Sequence, residues 1–354
     1  MFLLSRIESV SEWFTTHIYF SLASVFGRLF EHLEFAVFEV TAFLLALALV
    51  ILLVFSLYYF VHKNKENGFS LLTTFALIIS LFVFSYVSIA STMYNRKPLD
   101  VEEVECVLSK EEVESIATAY FADFNNVAAM QTVDEDGLSV CPYTEKELIQ
   151  KIKEEYAKLD SPYFAKYTAS PKPIASSYLM TAFAISGISY VPTFEPGYNY
   201  MLYFPEKTLT IAHEMAHTKG IMREADANEL AYYVLLNSED NYLKYIGYLY
   251  SYTYVRSALA LSNSEIEISV PSVAIKDRVQ GIEFWSEKAV LRNLGKAINE
   301  WYLKSNSQSG TDSYQSKDTH EEETIIDDQG NEQTIYHVIN FSHVQNMIFA
   351  LYQN

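Results

Sequence analysis

Basic residues are scarce in this sequence: 25 Lys and Arg residues stand against 44 Asp and Glu residues, a formal net charge of −19. Proteins that bind nucleic acid need clustered Lys and Arg side chains, so the charge argues against that function. A solvated acidic surface explains the imbalance. No internal repeat is apparent, and 354 residues are enough for one or two domains besides any membrane segments.

Cysteine is scarcer still, since Cys106 and Cys141 are the only two. They bracket a helix that we predict at residues 110–130. A disulfide between them would require an oxidising compartment outside the cytoplasm. Two unrelated free thiols are an equal alternative, and both interpretations stay open.

Charged residues are absent from two long apolar stretches, residues 40–61 and 68–95. About 20 apolar residues are enough for a helix to cross a bilayer. A buried core helix would not run so far without a polar break. We therefore predict two transmembrane helices within residues 36–95, at about 40–61 and 69–94, and a separate domain in the remainder of the chain, residues 96–354.

The first 35 residues combine one apolar helical stripe with scattered charges, which is typical of an amphipathic helix lying in the membrane interface. Packing against the two spans is the alternative. The segment has no clear basic leader and cleavage site, so a signal peptide is not indicated. The stripe consists of Ile18, Leu22, Val25, Phe26, Leu29 and Leu33.

The orientation of the spans is weakly encoded in the basic residues at their ends. Lys63 and Lys65 in the loop between the spans favour a cytoplasmic loop. Arg96 and Lys97, after the second span, nearly cancel that bias. Together with the disulfide alternative, the pattern favours a domain outside the cytoplasm.

The strongest motif is His213-Glu214-Met215-Ala216-His217, an HExxH pentapeptide inside an apolar run. Residues four apart on a helix lie on the same side, so both imidazoles can reach one ion. Neutral imidazole is a good zinc ligand, and Glu214 can take a proton from a water beside the ion. A chance match on a solvated helix is disfavoured, because Met215 and Ala216 look like core residues.

The third ligand must be sought further along the chain, because a catalytic zinc site has three protein ligands and no His follows closely. An unbroken helix would separate His213 from Glu224 by about 16 Å, so the chain must turn. Gly220 tolerates the left-handed backbone that ends helices. A second helix starting near Arg223 could return past the site, which makes Glu224 the expected ligand and Asp226 the alternative.

Asn228 shares a face of that second helix with Glu224, whereas Asp226 and Glu229 point elsewhere. The Asn228 side chain could accept a hydrogen bond from a ligand imidazole and fix its tautomer. The competing explanation of Glu224 is an acidic residue placed favourably in the first turn of a helix.

These residues resemble known metallopeptidase elements. The E-x-x-A-N run of Glu224–Asn228 is similar to the E-x-x-A-D element of gluzincins such as the CAAX-prenyl-protease type 1 family, in which the Glu binds zinc and the later acid supports the site. Here Asn replaces the Asp, and the gap after HExxH is much shorter. The resemblance implies a zinc-peptidase-type fold.

A closer resemblance is to the bacterial membrane-protein family catalogued as domain-of-unknown-function family 3810. It implies a bacterial membrane protein of zinc-peptidase type and supplies no substrate. The chain after Ser313 departs from the family pattern. The stretches that carry the resemblance are YNRKPL (94–99), SPKPIASSYLMTAFAISGISYVPTFEPGYN (170–199), AHEMAHTKGIMREADANELAYY (212–233) and YLKSNSQSGTDSY (302–314).

A β-hairpin is predicted just before the HExxH helix, with strands at Ile185–Phe194 and Tyr198–Phe204 and a type II turn at Glu195-Pro196-Gly197. Its edge strand could pair with an extended substrate, or the small sheet could simply cap a helical core. Further helices are predicted at 110–130, 144–159, 223–236, 241–261, 282–304 and 344–352. A polar loop and a hairpin insertion, with a turn at 328–331, are predicted at about 305–340.

The sequence thus predicts a mainly α protein, with two N-terminal transmembrane helices and a predominantly helical, zincin-like (α+β) domain. The expected function is a membrane-anchored metallopeptidase with one catalytic Zn²⁺ and Glu214 as general base, acting on a peptide or protein. Alternatives are a non-catalytic zinc-binding membrane sensor and a metal-dependent hydrolase of a non-protein envelope amide. Candidate donors to the oxyanion are Tyr198, Asn199 and Tyr314.

Overall fold

The computed structural model of the protein describes residues 6–99, 107–306, 308, 319–326, 332–339 and 342–353. Helices dominate, and two small three-stranded sheets accompany them. The helices are α1 (Glu8–Phe14), α2 (Phe20–Glu31), α3 (Val37–Val61), α4 (Lys65–Tyr86), α5 (Lys110–Ala129), α6 (Glu145–Ala157), α7 (Ser177–Ala182), α8 (Phe204–Thr218), α9 (Glu224–Leu236), α10 (Asn241–Leu261), α11 (Ser272–Lys288), α12 (Arg292–Ser305) and α13 (His343–Gln353). The strands are β1 (Val107–Ser109), β2 (Lys172–Pro173), β3 (Gly187–Tyr190), β4 (Glu195–Tyr198), β5 (Thr319–Ile326) and β6 (Glu332–Ile339).

Helices α3 and α4 are long and apolar enough to cross a bilayer, with mean hydropathies of 3.0 and 2.1. A π-helical segment, Val87–Ser91, prolongs α4 toward the predicted end of the second span. Only 6% of the most apolar stretch of α3, and 0% of that of α4, is buried inside the protein. A soluble core helix would be covered by other elements. The two helices are therefore compatible with membrane anchoring.

The N-terminal helices α1 and α2 pack one face against the rest of the chain. Glu12 forms an ion pair with Arg96 at 2.9 Å, and Glu31 pairs with Lys153. Tyr19, in the π-helical turn between the two helices, is buried. Exposed apolar residues on the remaining surface of α2 are Val25, Phe26 and Leu29. An interfacial position for that surface stays a prediction.

The core of the domain is formed by α5, α6, α8, α9, α10 and α13. Helices α5 and α6 begin with capping boxes at Ser109 and Thr144. The tyrosines of α10 are mostly buried in this core. The helices predicted at 110–130, 144–159, 223–236, 241–261 and 344–352 are confirmed to within a few residues.

A hairpin does precede α8, but the predicted turn is wrong. The segment Glu195-Pro196-Gly197 lies within strand β4, which pairs antiparallel with β3. The chain reverses earlier, through a 3-10 turn at Val191–Thr193 and the left-handed Phe194 (φ 57°). The predicted second strand, Tyr198–Phe204, is mainly a loop that leads into α8.

The reason for the shift is the burial of the Glu195 carboxylate. It accepts hydrogen bonds from the Val37 and Phe38 amides, 3.0 Å each, at the start of α3. It also forms a 2.7 Å ion pair with Lys172 of β2. These contacts between distant parts of the chain hold Glu195 in an extended strand and override its local turn preference.

The single helix predicted at 282–304 is also wrong, because α11 ends at Lys288 and α12 begins at Arg292. At the break, the Leu291 amide donates to the Ala182 carbonyl oxygen at the end of α7, with a distance of 2.7 Å. A continuous helix would need that amide for its own ladder. The contact with α7 therefore coincides with the interruption.

The second sheet has the strand order β1-β6-β5, with antiparallel pairing throughout. Strands β5 and β6 form the predicted late hairpin, although β5 begins at Thr319, within the stretch expected to be a polar loop. The predicted turn at 328–331 lies outside the described residues.

Candidate metal centre

The HExxH residues lie on α8, which begins with Pro205 in its first turn and ends at Thr218. Gly220 follows with a φ of +90°, a left-handed conformation that glycine adopts without strain. The chain then reverses, and α9 begins at Glu224. The local sequence thus returns a carboxylate to the face of α8 that carries the two imidazoles.

Three side chains converge at this junction. Glu224 Oε2 lies 3.1 Å from His213 Nε2 and 3.8 Å from His217 Nε2. Zinc ligands at about 2.0–2.2 Å in a tetrahedron are separated from one another by roughly 3.3–3.6 Å. The two distances bracket that separation, so the set His213, His217 and Glu224 fits a zinc ion.

In each imidazole, the Nδ1 nitrogen lies within hydrogen-bonding distance of an acceptor oxygen. His217 Nδ1 donates to the Ile221 carbonyl oxygen at 2.7 Å, and His213 Nδ1 lies 2.9 Å from Asn228 Oδ1. A ring that donates through Nδ1 presents the lone pair of Nε2 on its other side. Both imidazoles are therefore oriented for ligation, as metal-binding histidines are in proteins.

Glu214 is buried next to the two imidazoles, and the ligand atoms of His213, Glu214 and His217 all lie within 4.8 Å of one another. Ser189 Oγ of β3 donates to Glu214 Oε2 at 2.8 Å. Burial raises the pKa of Glu214 to about 7, although the neighbouring His217 and Ser189 oppose that rise. A carboxyl group with this pKa can both accept and return a proton near neutral pH.

Strand β3 lies close against Glu214. A Cβ atom at residue 187 would approach Glu214 Oε1 to well under 3.0 Å, a distance that real Cβ atoms essentially never show. Gly187 therefore makes room for the carboxylate, and Ser189, two residues on, binds it. Sequence analysis did not single out Gly187, Ser189 or the Ile221 carbonyl, because their roles depend on contacts between elements.

Space beside His217 is small. Tyr19, Val191, Phe194 and Met222 pack there with Ser189 around a cavity of about 10 Å³, roughly the room for one water. The Tyr19 hydroxyl also donates to the His217 carbonyl oxygen at 3.4 Å. The space on this flank of the centre is therefore no larger than a single water molecule needs.

The alternative ligand Asp226 is engaged elsewhere. Its Oδ2 accepts hydrogen bonds from the Leu99 amide at 3.2 Å and from Arg223 Nε at 3.0 Å. Asp226, Glu229 and His343 form a second group with ligand atoms within 4.8 Å of one another. That group shares no member with the set of His213, His217 and Glu224. Asp226 instead binds the amide of Leu99, in the segment that follows α4.

The candidate oxyanion donors Tyr198 and Asn199 make contacts elsewhere in the fold. The Tyr198 hydroxyl donates to Glu145 Oε2 at 2.8 Å. Asn199 Nδ2 donates to Thr181 Oγ1 at 2.8 Å and to the Ile185 carbonyl. Tyr314, the third candidate, lies outside the described residues.

The cysteine pair is only half described. Cys141 is half-buried, and its Sγ lies 3.5 Å from the Tyr143 carbonyl oxygen. Burial raises its pKa. Cys106 lies outside the described residues, so the disulfide stays a prediction.

Comparison with known proteins assigns the chain to a family. No curated protein matches it, and no solved structure matches it either. The family described as "Protein of unknown function (DUF3810)" matches residues 14–317. The match spans both apolar helices, the HExxH helix and the helix that carries Glu224. The chain therefore belongs to the DUF3810 family.

Proposed function

We propose that this protein is an integral membrane zinc metallopeptidase whose domain lies outside the cytoplasm. One observation carries the proposal: His213, His217 and Glu224 converge at the spacing of tetrahedral ligands, with the buried Glu214 beside them. A structural zinc site is closed by protein ligands alone and has no use for a general base. A buried carboxylate without a use is costly, so Glu214 favours a catalytic site.

Bound zinc would act as a Lewis acid toward the scissile carbonyl and make a neighbouring water more acidic. Glu214 accepts the proton that the attacking water loses, and later delivers it to the leaving amine nitrogen as the C–N bond breaks. Ser189 holds one carboxylate oxygen, Oε2, and thereby orients the other. Asn228 and the Ile221 carbonyl keep the two imidazoles in place throughout.

A donor to the developing oxyanion is also required. Tyr94, just after the second apolar helix, is a better candidate than Tyr198 or Asn199. Its hydroxyl is buried and lies 3.1 Å from the hydroxyl of Tyr302. Burial raises the pKa of Tyr94 well above its ordinary value, and Tyr302 and the Glu224 charge add to that rise. A hydroxyl that stays protonated can donate a hydrogen bond to an oxyanion.

A peptide substrate is favoured by the position of β3. The sheet order is β2-β4-β3, so one edge of β3 has no partner among the described residues. The same strand carries Gly187 and Ser189, both against Glu214. An extended peptide that pairs with this edge would pass beside the general base. A compact envelope amide would gain nothing from a strand edge.

The first experiment is zinc analysis of purified wild-type protein and two variants. We expect about one zinc per chain in the wild type and in Glu214→Gln, and loss of zinc in His213→Ala. Hydrolysis of an unstructured protein by the wild type, but not by Glu214→Gln, would then support a peptidase.

Other outcomes would contradict the proposal in distinct ways. Absence of zinc from all three proteins, even after zinc supplementation, would remove the metal centre. Zinc without turnover would support a membrane sensor. Activity on cell-wall fragments but not on proteins would support a hydrolase of envelope amides.

A further inference from the structure

Two contacts connect the domain to the ends of the apolar helices. Glu39, in the first turn of α3, accepts hydrogen bonds from the Ala175 and Ser176 amides at 2.7 and 3.0 Å, just before α7. At the end of α4, the Tyr86 hydroxyl accepts from Asn306 Nδ2 at 2.9 Å, just after α12. Because α3 and α4 are antiparallel neighbours joined by a short turn, these two contacts belong to the same side of a bilayer.

Helices α7 and α12 are themselves in backbone contact. The Leu291 amide donates to the Ala182 carbonyl oxygen at 2.7 Å. Gly295 lies so close to the Phe183 carbonyl that an added Cβ atom would clash with it. The two helices thus form a continuous strip that runs from the start of α3 to the end of α4.

This strip exposes large apolar side chains. Trp301 is 72% exposed and Leu294 is 51% exposed, and with Ile298 they recur at the spacing of one helical face. Tyr178 of α7 is 71% exposed. Arg292 and Lys296 are exposed on α12 as well. We call this surface the α7–α12 strip, with the apolar members Tyr178, Leu179, Val290, Leu291, Leu294, Ile298 and Trp301.

We propose that the α7–α12 strip is seated in the interface of the lipid bilayer, so that the domain lies against the membrane. The proposal rests on α3 and α4 spanning that bilayer, as proposed above. The strip is joined to α3 at Glu39, whose charge lies at the edge of the apolar stretch, so that end of the strip is at the level of the headgroup region. Apolar and Trp side chains that share one exposed face are what interfacial helices use to bind lipid.

The position of the strip narrows the substrate class. The chain leaves α7 and enters β3 within a few residues, and the Tyr190 ring at the end of β3 packs against Phe38 of α3, with centroids 5.5 Å apart. The strand beside Glu214 is thus tied to the start of a span. A polypeptide that reaches Glu214 along β3 therefore does so at the membrane surface, as a membrane-bound substrate would.

Fluorescence of Trp301 tests directly whether the α7–α12 strip lies in the interface of the bilayer. The chain has three Trp residues, so Trp13→Phe with Trp285→Phe leaves Trp301 as the sole reporter. The protein would be placed in nanodiscs of phosphatidylcholine and phosphatidylglycerol, with some lipids brominated near the top of the acyl chain. We expect brominated lipid to quench Trp301 and acrylamide to quench it little.

A matched control places the reporter at the end of α5. Met130 is 61% exposed, and Met130→Trp in a chain with the three native Trp residues changed to Phe should respond to acrylamide and not to brominated lipid. Suppose that acrylamide quenches Trp301 and brominated lipid does not, while the protein stays in the nanodisc. The spans are then intact, and the strip does not lie in the membrane interface. If Trp301 is shielded from both quenchers, a protein surface covers the strip and lipid does not.

Zinc content separates this proposal from the proposed activity. The strip residues lie outside the metal centre, so the Trp variants should keep the zinc content of the wild type. If brominated lipid quenches Trp301 in a protein that binds no zinc, the interfacial position of the strip is supported and the proposed zinc peptidase activity is contradicted.

Discussion

Gly187 and Glu214 are in such close contact that no other residue type fits at position 187 without displacement. An added Cβ atom would lie 2.8 Å from both Cδ and Cγ of Glu214 and closer still to its Oε1. The φ of Gly187 is not in the left-handed region, since such values occur only at Gly137 and Gly220 among the described glycines. The constraint on Gly187 is therefore steric and concerns the proposed general base.

Gly187→Ala should consequently impair hydrolysis and leave zinc in place. The methyl group pushes the Glu214 carboxylate away from Ser189 without touching His213 or His217. We expect activity to fall by roughly 10²–10⁴-fold, the usual contribution of a positioned acid or base. Steady-state kinetics and zinc analysis would be measured on the same sample. Ile188→Ala, on the exposed side of the same strand, is the control and should retain activity.

Glu224→Gln should lower zinc affinity, because the neutral amide is a poor substitute for a carboxylate ligand. Asp226→Asn is the matched control two residues away. It should keep zinc, because Asp226 bonds the Leu99 amide and Arg223. Competition with a zinc chelator would rank the two variants. Unchanged affinity in Glu224→Gln would show that the third ligand is another group.

Asn228→Ala should weaken zinc binding by about 10–100-fold through His213, which loses the acceptor of its Nδ1 hydrogen. Asn228→Asp restores an acceptor at the same position and should regain most of the affinity. Equal affinity in all three proteins would mean that Asn228 does not position the ring.

Glu206 lies away from the metal centre, and we expect it to make the free energy of unfolding depend on pH. Its Oε1 accepts from Trp285 Nε1 at 2.7 Å, and burial raises its pKa from 4.5 to about 7. The folded protein therefore binds this proton more tightly than the unfolded chain. The free energy of unfolding should fall as pH rises from 4.5 to about 7 and show no further loss from Glu206 above that.

Glu206→Gln removes this cost and keeps an oxygen acceptor for Trp285. We expect the variant to be more stable than the wild type by about 3 kcal/mol at about pH 8, and equally stable near pH 4. Thermal unfolding in detergent at the two pH values would measure the difference. A stability gain of the same size at both would contradict the assignment.

Lys172 should be essential for stability, because its ion pair with Glu195 has side chains only 7% and 3% exposed. Lys172→Met leaves a buried carboxylate without its cation and should cost about 3–5 kcal/mol. Lys158→Met breaks the pair with Glu155, where the Lys side chain is 58% exposed, and should change the unfolding temperature little. Similar losses in both variants would contradict the special position of Glu195.

The elements that local sequence could predict are those with local causes. The apolar spans follow from length, the capping box from Thr144 and Glu147, and the reversal after α8 from Gly220. The convergence of α8 and α9 could be predicted from the rise of a helix and from the turn at Gly220. These regularities bring Glu224 to the two histidines in the structure, at 3.1 and 3.8 Å.

Features that depend on distant contacts were beyond local reasoning. The turn predicted at Glu195 is a strand because Val37, Phe38 and Lys172 bind its carboxylate. The break between α11 and α12 coincides with the contact of Leu291 with α7. Ser189 joins the centre only through the register of β3, which neither composition nor periodicity specifies.

The two hydrogen bonds from the first amides of α3 to the Glu195 carboxylate have a mechanical consequence. A spanning helix tilts when its apolar length exceeds the thickness of the surrounding bilayer. Glu195 is in the strand that pairs with β3, and Ser189 faces Pro196 in that pairing. Tilting of α3 would therefore pull on the strand that holds Glu214, so the thickness of the membrane would bear on the alignment of the general base.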